Sequence, residues 1–189
     1  MEKAVTYFEK PGPENTYQCL AIIKKALDDY NYKHLVIAST TGSTGLLFSE
    51  ALKDRKNLNL VVVTHSYGFK EPNSFEMADG VKEKIKASGA KLYTGTMITH
   101  SLETALSAKF SGLYPTLLVA QSLRRFGEGP KVCCEIAMMA ADAGLIPEGE
   151  EILAVAGTGR GADTVLVIKS ATSKRFLDLR VLEILAKLR

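Results

Sequence analysis

The sequence lacks several features that define specialised classes of protein. Its 189 residues contain no tryptophan and only three cysteines, Cys19, Cys133 and Cys134, with no C-x-x-C pair among them, so we expect neither a disulfide framework nor a metal site. The longest apolar runs, such as residues 136–141, fall far short of the ~18 residues that cross a membrane. The amino terminus has an early acidic residue and soon reaches Pro11, which does not fit a signal peptide. These absences predict a reduced, cytoplasmic protein without a membrane partner.

Charge of one sign is not concentrated either. The chain has 24 basic and 21 acidic residues, a net charge of +3, and its basic residues are scattered along the sequence. Because nucleic-acid-binding proteins usually gather basic residues into a patch or stripe, we expect no nucleic-acid partner. The hydrophobic fraction of 46% and charged fraction of 24% are ordinary for a globular protein. The length suits one domain over residues 1–189.

Strand-like and helix-like segments alternate along the chain. "HLVIAS" and "LNLVVVT" are continuous apolar runs, typical of strands buried on both faces of a parallel sheet. "EILAVAG" and "DTVLVIKSA" are two further strands, separated only by "TGRGAD", which is shorter than the dozen or so residues of a parallel crossover. The pattern predicts a three-layer α/β fold whose mostly parallel sheet ends in an antiparallel hairpin.

Helical patterns fill most of the remaining chain. Asn15 or Thr16 is predicted to cap one helix, and other helices cover about residues 44–53 and 75–88. Residues 101–144 contain only helical signals, broken near Gly112 and at residues 127–130. The last segment, "RVLEILAKL", fits a strand or a helix.

In a sheet of this kind, ligands bind beyond the carboxyl ends of the strands, where loops lead into helices. The predicted order of elements places five loops at that edge: residues 10–16, 39–45, 65–69, 95–101 and the hairpin loop 157–163.

The second of these loops, within "ASTTGSTG", is rich in hydroxyl groups and glycine. It consists of Ser39, Thr40, Thr41, Gly42, Ser43, Thr44 and Gly45. A helix N-terminus offers unpaired amides and partial positive charge, which suits a phosphate group. The simpler alternative is that Ser43 caps the helix and the glycines turn the chain. The loop matches neither G-x-x-x-x-G-K-[ST] nor G-x-G-x-x-G, so we do not expect magnesium-dependent ATP hydrolysis.

The hairpin loop "GTGRGAD" is the second candidate for binding an anion. Gly157, Gly159 and Gly161 alternate around Arg160, whose guanidinium suits a phosphate or a carboxylate. The alternative is a flexible hairpin with a solvated arginine. Two glycine-rich loops at one predicted edge favour a shared anionic ligand.

These two loops resemble parts of a known family. "KHLVIASTTGSTGLLFSEALKDRKNLNLVVVTHS" is similar to the carboxy-terminal α/β domain of pyruvate kinase, and "EEILAVAGTGRGADTVLVI" resembles its closing hairpin, whose loop joins the Thr/Ser loop around a sugar-bisphosphate effector. Stand-alone archaeal and bacterial proteins of this fold are more similar still. They share the "KPG-EN", "KVC-E", "MAAD-G-IP" and "RGADT" patterns over nearly the whole chain.

The resemblance implies a flavin mononucleotide (FMN) site on the loop edge and a final strand at "RVLEILAKL". It does not imply pyruvate kinase activity, because that chemistry belongs to a separate barrel with metal-binding carboxylates and a catalytic lysine. Residues 102–129 depart from the pyruvate kinase domain by extra helical sequence.

Several single residues near the predicted edge are further candidates. His65 directly follows a strand and either contacts the ligand or caps the strand end. Phe69 and Met97 form an apolar wall for a flavin ring or pack in the core, and His100 precedes a helix. The adjacent cysteines fit buried structural positions better than a redox pair. Glu135 and Asp142, two turns apart on one helix, match the pattern of a solvated face.

Three hypotheses for function follow. The first is a domain that binds or senses a phosphorylated small molecule, FMN above all, without pyruvate kinase activity. The second is an FMN-dependent oxidoreductase that uses the same site, since hydride chemistry resides in the cofactor and asks little of the protein. The third is a structural role at a subunit interface in a homo-oligomer.

Overall fold

The computed structural model describes residues 2–189, which form one seven-stranded sheet with helices on both faces. The strands are β1 (Thr6–Phe8), β2 (His34–Ala38), β3 (Asn59–Val63), β4 (Lys91–Tyr93), β5 (Glu151–Ala156), β6 (Thr164–Lys169) and β7 (Arg180–Leu188). The helices are α1 (Thr16–Asp29), α2 (Ser43–Leu52), α3 (Asp79–Ala87), α4 (Leu102–Phe110), α5 (Pro115–Leu123) and α6 (Glu128–Asp142). Short 3₁₀ helices lie at Pro13–Asn15, Arg124–Phe126 and Ser173–Asp178.

The strand order is β1-β7-β6-β5-β2-β3-β4. β2 pairs in parallel with both β3 and β5, and β5 pairs with β6 in the predicted antiparallel hairpin. β7 is antiparallel to β6 and parallel to β1, so β6 alone among these seven strands runs against the rest. The prediction of a mostly parallel α/β sheet with an antiparallel hairpin near its end is confirmed, as is a strand at "RVLEILAKL".

The buried strands divide the core into two layers. Leu35 and Ile37 of β2 pack on one face of the sheet with Phe48 of α2 and Ile85 of α3. Val36, which points the other way, packs on the opposite face with α6. Both faces of β2 are therefore apolar, which explains its continuous run of apolar residues.

Most predicted helix boundaries agree with the structure to within a few residues, and the breaks in the helical region fall at Gly112 and Gly127, both with positive φ. α3 is the exception, because it begins at Asp79 and not at residue 75. The segment before it contains a turn at Asn73, whose φ is +57°, and an extended Ala78, so the chain enters the helix late. No helix among residues 2–189 is long and apolar enough to cross a bilayer.

Candidate functional site

The carboxyl edge of the sheet holds the predicted loops. From β2 the chain runs through β3 to β4 on one side and then returns to place β5 on the other side of β2. The carboxyl ends of β2 and β5 therefore flank the point where the strand order reverses, which is where α/β sheets bind ligands. Loops 39–45 and 157–163 leave the sheet on either side of this point, with Ile37 paired to Val155.

The N-terminus of α2 has no side-chain cap. Gly42 occupies the cap position with a φ of +92°, and a Cβ there would lie 2.4 Å from Val81 Cγ1, so only glycine fits. Ser43 is the first helical residue and is exposed, so the cap by Ser43 that the alternative interpretation required is not observed. Ser39 Oγ accepts a hydrogen bond from Gly45 N at 3.0 Å, which uses that amide internally. Of the first three helical residues, Gly45 therefore has its amide bound to Ser39, whereas no described side chain caps the amides of Ser43 and Thr44.

The hairpin loop is anchored to the start of α1. Ala162 N donates to Thr16 Oγ1 at 3.0 Å, so this hydroxyl binds the hairpin and does not cap its own helix. A Cβ on Gly161 would lie 2.5 Å from the Cα of Pro13, so the two loops meet at a contact that only glycine permits. Asp163 Oδ2 accepts from Thr158 N at 2.8 Å and closes the loop from within. These contacts fix the conformation of loop 157–163, which is therefore not the flexible hairpin of the alternative interpretation.

Two side chains of this loop have no protein partner for their polar groups. Thr158 Oγ1 is buried and has no hydrogen-bond partner among the described residues. Arg160 is exposed and makes no ion pair within residues 2–189. The other buried hydroxyl without a partner in the described chain is that of Thr172, whose backbone amide donates to Glu148 Oε1 at 2.7 Å. Thr158 was missed by the sequence reasoning, because a threonine between two glycines gives no signal of burial.

His65, Phe69 and His100 come together next to the ends of β3 and β4. The rings of His65 and Phe69 are 4.3 Å apart between centroids, and those of Phe69 and His100 are 5.8 Å apart. His65 Nδ1 lies 2.8 Å from Glu76 Oε1, a partner that sequence spacing did not suggest. The three rings form a partly exposed aromatic wall, with Phe69 42% exposed.

A buried ion pair lies behind this wall. Lys131 Nζ is 2.5 Å from Glu135 Oε2, and both side chains are almost fully buried, at 1% and 4% exposure. The other oxygen of Glu135 accepts hydrogen bonds from Thr99 N and Thr99 Oγ1, both at 2.7 Å. The prediction that Glu135 belongs to a solvated face is wrong: residues 129–141 are buried except for Val132, since α6 is covered on more than the sheet side.

This network lowers the pKa values of two groups. Burial alone would raise the pKa of Glu135, but the Lys131 ammonium and the hydrogen bonds from Thr99 hold that pKa below its ordinary value. Burial, followed by the nearby positive charge of Lys131, lowers the pKa of His100. The Thr99 hydroxyl donates to Glu135, so it accepts from His100 Nδ1 at 3.1 Å, and the neutral ring has its proton on Nδ1.

Met97 lies in the core and not on the aromatic wall. It is 8% exposed and packs in the same layer as Val63 and Ile136. Met97 therefore has little exposed surface with which to contact a ligand.

The three cysteines should be unreactive in the folded protein. Burial raises the pKa of Cys19 and of Cys134 to about 12, and raises that of Cys133 well above its ordinary value. Native protein in Ellman's reagent at mildly alkaline pH should show no fast-reacting thiol, and three thiols after unfolding. The exposed control variant Asn31→Cys should add one fast thiol. Fast reaction of the unmodified native protein would contradict the buried structural assignment.

The surface offers shallow depressions near and far from this edge. One of about 450 Å³ adjoins the start of α2 and is lined by Ser43, Leu46, Leu47, Glu50 and Val81. Another, of about 380 Å³, lies at the opposite edge around Tyr30 and Glu151, away from every candidate residue. Within residues 2–189, no group of three or more His, Cys, Asp or Glu side chains is arranged to hold a metal ion.

Among solved structures, a pyruvate kinase from Cryptosporidium parvum shares 19% sequence identity with the chain, with a TM-score of 0.43, over 86% of this chain and 24% of its own length. The pyruvate kinase of that organism in complex with ADP also shares 19% identity, with a TM-score of 0.43, over 87% of this chain and 25% of its own. The chain thus spans about a quarter of the length of these structures.

The family model for the pyruvate kinase alpha/beta domain matches residues 18–168. This match runs from the first turn of α1 into β6 and includes both glycine-rich loops. It covers most of the sequence and confirms the resemblance that those loops suggested. The chain therefore belongs to the pyruvate kinase alpha/beta domain family.

Proposed function

We propose that this protein binds a phosphorylated small molecule at the carboxyl edge of its sheet, and that the molecule is FMN. One observation carries the proposal. The N-terminus of α2, which no side chain of its cap residue covers, and the glycine-rich loop 157–163, which is anchored to α1, flank the point where the strand order reverses. Such a site is suited to a phosphate dianion, because helix amides and glycine backbone approach it closely while partial positive charge attracts it.

The residues present fit a phosphate group. Ser43 supplies an exposed hydroxyl, and the backbone amides of Ser43 and Thr44 supply further donors. Thr158 Oγ1, buried without a partner, is a donor whose desolvation a ligand oxygen would offset. A Cβ at Gly159 would meet nothing within 4 Å, so the loop surface is open beside Arg160. Arg160 would then approach the phosphate from the hairpin side.

The flat part of the molecule would lie against the aromatic wall. Phe69 and the two histidines offer ring faces and edges at the ends of β3 and β4, beside the end of β2 that leads to the phosphate loop. Stacked or tilted aromatic contacts of this kind favour a planar ligand. Glu76 orients His65, and Thr99 orients His100.

The proposal is tested first by colour and then by phosphate preference. Freshly purified protein that retains oxidised flavin should be yellow. Protein from which the ligand has been removed should quench the fluorescence of added flavin. It should bind FMN at least ~10-fold more tightly than riboflavin, because the phosphate adds charge-assisted hydrogen bonds. Equal affinity for the two compounds would contradict a phosphate site at these loops.

Arg160→Ala should weaken FMN binding by about 10- to 100-fold, the range of one or two charge-assisted hydrogen bonds, while riboflavin binding stays unchanged. Thr158→Val, which replaces the hydroxyl by a methyl group, should reduce the preference for FMN over riboflavin, and Thr158→Ser should retain that preference. The control Arg175→Ala removes an arginine that is paired with Glu148 at the far side of the hairpin. Unaltered FMN affinity in Arg160→Ala would mean that the guanidinium is only solvated.

A second candidate function is an FMN-dependent oxidoreductase. The observation in its favour is the His100 ring, whose Nδ1 is hydrogen-bonded to Thr99 Oγ1, so that Nε2 is the ring nitrogen left to accept a proton. When bound, the flavin supplies the hydride chemistry, and the protein has only to orient the reactants and exclude water. Stopped-flow reduction of the flavin-bound protein by NADH or NADPH decides between the two functions. A slow reduction whose rate rises linearly with the nucleotide concentration indicates a binding domain. A reduction rate that saturates with nucleotide and that His100→Gln lowers indicates an enzyme.

A further inference from the structure

Helices α4 and α5 form a pair in which few residues are buried, although Leu123 of α5 packs against the core. None of the residues of α4 is buried, and in α5 only Ala120 is. The two helices are joined by residues 111–114 and pack against each other. Isolated helices shorter than about 12–15 residues are marginal in water, and most helical stability in proteins comes from packing of an apolar face. A nine-residue helix with no buried side chain therefore needs a cover that these residues of the chain do not supply.

The exposed side of this pair is strongly apolar. The large exposed apolar side chains of the pair, of its connection and of the 3₁₀ helix that follows α5, with their exposed fractions, are Leu102 (78%), Leu106 (41%), Phe110 (65%), Leu113 (75%), Leu118 (47%) and Phe126 (59%). Leu102, Leu106 and Phe110 follow one another at intervals of four residues, which aligns them along one side of α4. We call these six residues the α4–α5 surface.

Charged residues are few in this part of the chain. Residues 102–126 include four charged side chains, Glu103, Lys109, Arg124 and Arg125, and Arg124 is paired with Glu128. Glu103 is already used within the pair, because its Oε2 accepts hydrogen bonds from the amide and the hydroxyl of Thr116 at the start of α5. Burying the α4–α5 surface against another protein would thus desolvate few charges, and a low content of charged residues is the compositional mark of interface cores.

We propose that the α4–α5 surface is where a second copy of this chain binds, so that the two helical pairs pack together across a two-fold axis. The six side chains expose on the order of 600 Å² per copy, before small residues and backbone are counted, against about 800 Å² per partner in a standard interface. A two-fold axis brings the same patch on each copy together, and an apolar patch is complementary to itself. This inference does not depend on the identity of the ligand.

Other surfaces and partners fit less well. Exposed apolar residues also occur at the β1–β7 end of the sheet, but there Lys3 pairs with Glu183. Charged side chains of this kind protect sheet edges from association. A membrane surface is disfavoured because helices that lie on bilayers have a strongly basic polar face, which α4 lacks.

The experiment is sedimentation equilibrium of the whole chain over a wide range of concentration. The unmodified protein should have twice the mass of one chain. Leu102→Glu and Phe110→Lys, made singly, should each raise the dissociation constant of the dimer by ~100-fold or more, because each places a charge in an apolar interface twice. Both variants match the helix dipole, with an acid at the first residue of α4 and a base at its last, so the helix itself is preserved.

The control is Leu177→Glu, which changes an equally exposed leucine (80%) outside the α4–α5 surface and should leave the dimer intact. Circular dichroism should show unchanged helix content in Leu177→Glu, and in the other two variants a loss no larger than the helix of the uncovered α4–α5 pair. A monomer in the unmodified protein, or a dimer that Leu177→Glu disrupts while Leu102→Glu and Phe110→Lys do not, would overturn the proposal.

Discussion

Glu135→Ala should lower the free energy of unfolding by about 3–5 kcal/mol, the cost of leaving one member of a buried ion pair without its partner. The ammonium of Lys131 would remain at 1% exposure with no carboxylate beside it. Thr99 would also lose the acceptor for its amide and its hydroxyl. Urea unfolding monitored by circular dichroism measures this change.

Two comparisons isolate the ion pair as the cause. The double variant Lys131→Met/Glu135→Leu should lose much less stability than Glu135→Ala, because apolar residues of similar size can replace a buried pair at little cost. Glu50→Ala, which removes an exposed carboxylate from α2, should change stability by less than about 0.5 kcal/mol. If Glu135→Ala were no more destabilising than Glu50→Ala, the Lys131–Glu135 pair would be exposed to solvent in the folded protein, which would contradict its burial in the structure.

The sign of the pH dependence follows from the Glu135 pKa. The folded state holds this pKa below its ordinary value of 4.5, so the carboxylate stabilises the fold above that value and loses its contribution as the pH falls through the folded pKa. The stability difference between the unmodified protein and Glu135→Gln should therefore be largest near neutral pH and shrink in acid.

The fold was predictable because its main signals are local. A continuous apolar run such as "HLVIA" has no polar face to offer water, so it fits only a strand covered on both sides, as Leu35, Val36 and Ile37 are. The short "TGRGAD" connection excluded a crossover and fixed β6 as antiparallel. The start of α3 was missed because the left-handed turn at Asn73 depends on a loop that folds back, with Gly68 N bound to Ser74 O.

The candidate site was predictable only in part. The loops could be placed at one edge from strand order alone, since parallel strands end on the same side. The Lys131–Glu135 pair was not predictable, because Lys and Glu four residues apart usually mark a solvated helix face, and their burial comes from elements distant in the sequence, including Thr99. The free hydroxyl of Thr158 likewise depends on how the loop closes on Asp163.

The loop "ASTTGSTG" gives the sharpest test of the proposed phosphate site, and Ser43 is the position to change. Thr44 is only 7% exposed, so a carboxylate there would be buried and would disturb the fold. Ser43 is exposed at the first position of α2, where an acidic residue stabilises a helix. Ser43→Asp should therefore fold normally while placing a negative charge where the FMN phosphate is proposed to bind.

We expect Ser43→Asp to weaken FMN binding by roughly 100-fold, because like charges within a few ångströms repel strongly in a partly dehydrated site, and to leave riboflavin binding nearly unchanged. Ser43→Asn, of similar size but neutral, should retain most of the preference for FMN. Asn31→Asp adds the same charge at the opposite edge and should have no effect. Fluorescence titration of both flavins against the four proteins separates the possibilities. An equal loss of affinity for both flavins in Ser43→Asp would indicate a disturbed pocket. Unchanged affinity of Ser43→Asp for FMN would mean that the phosphate does not bind at α2, and the loop would then be only a turn between β2 and α2.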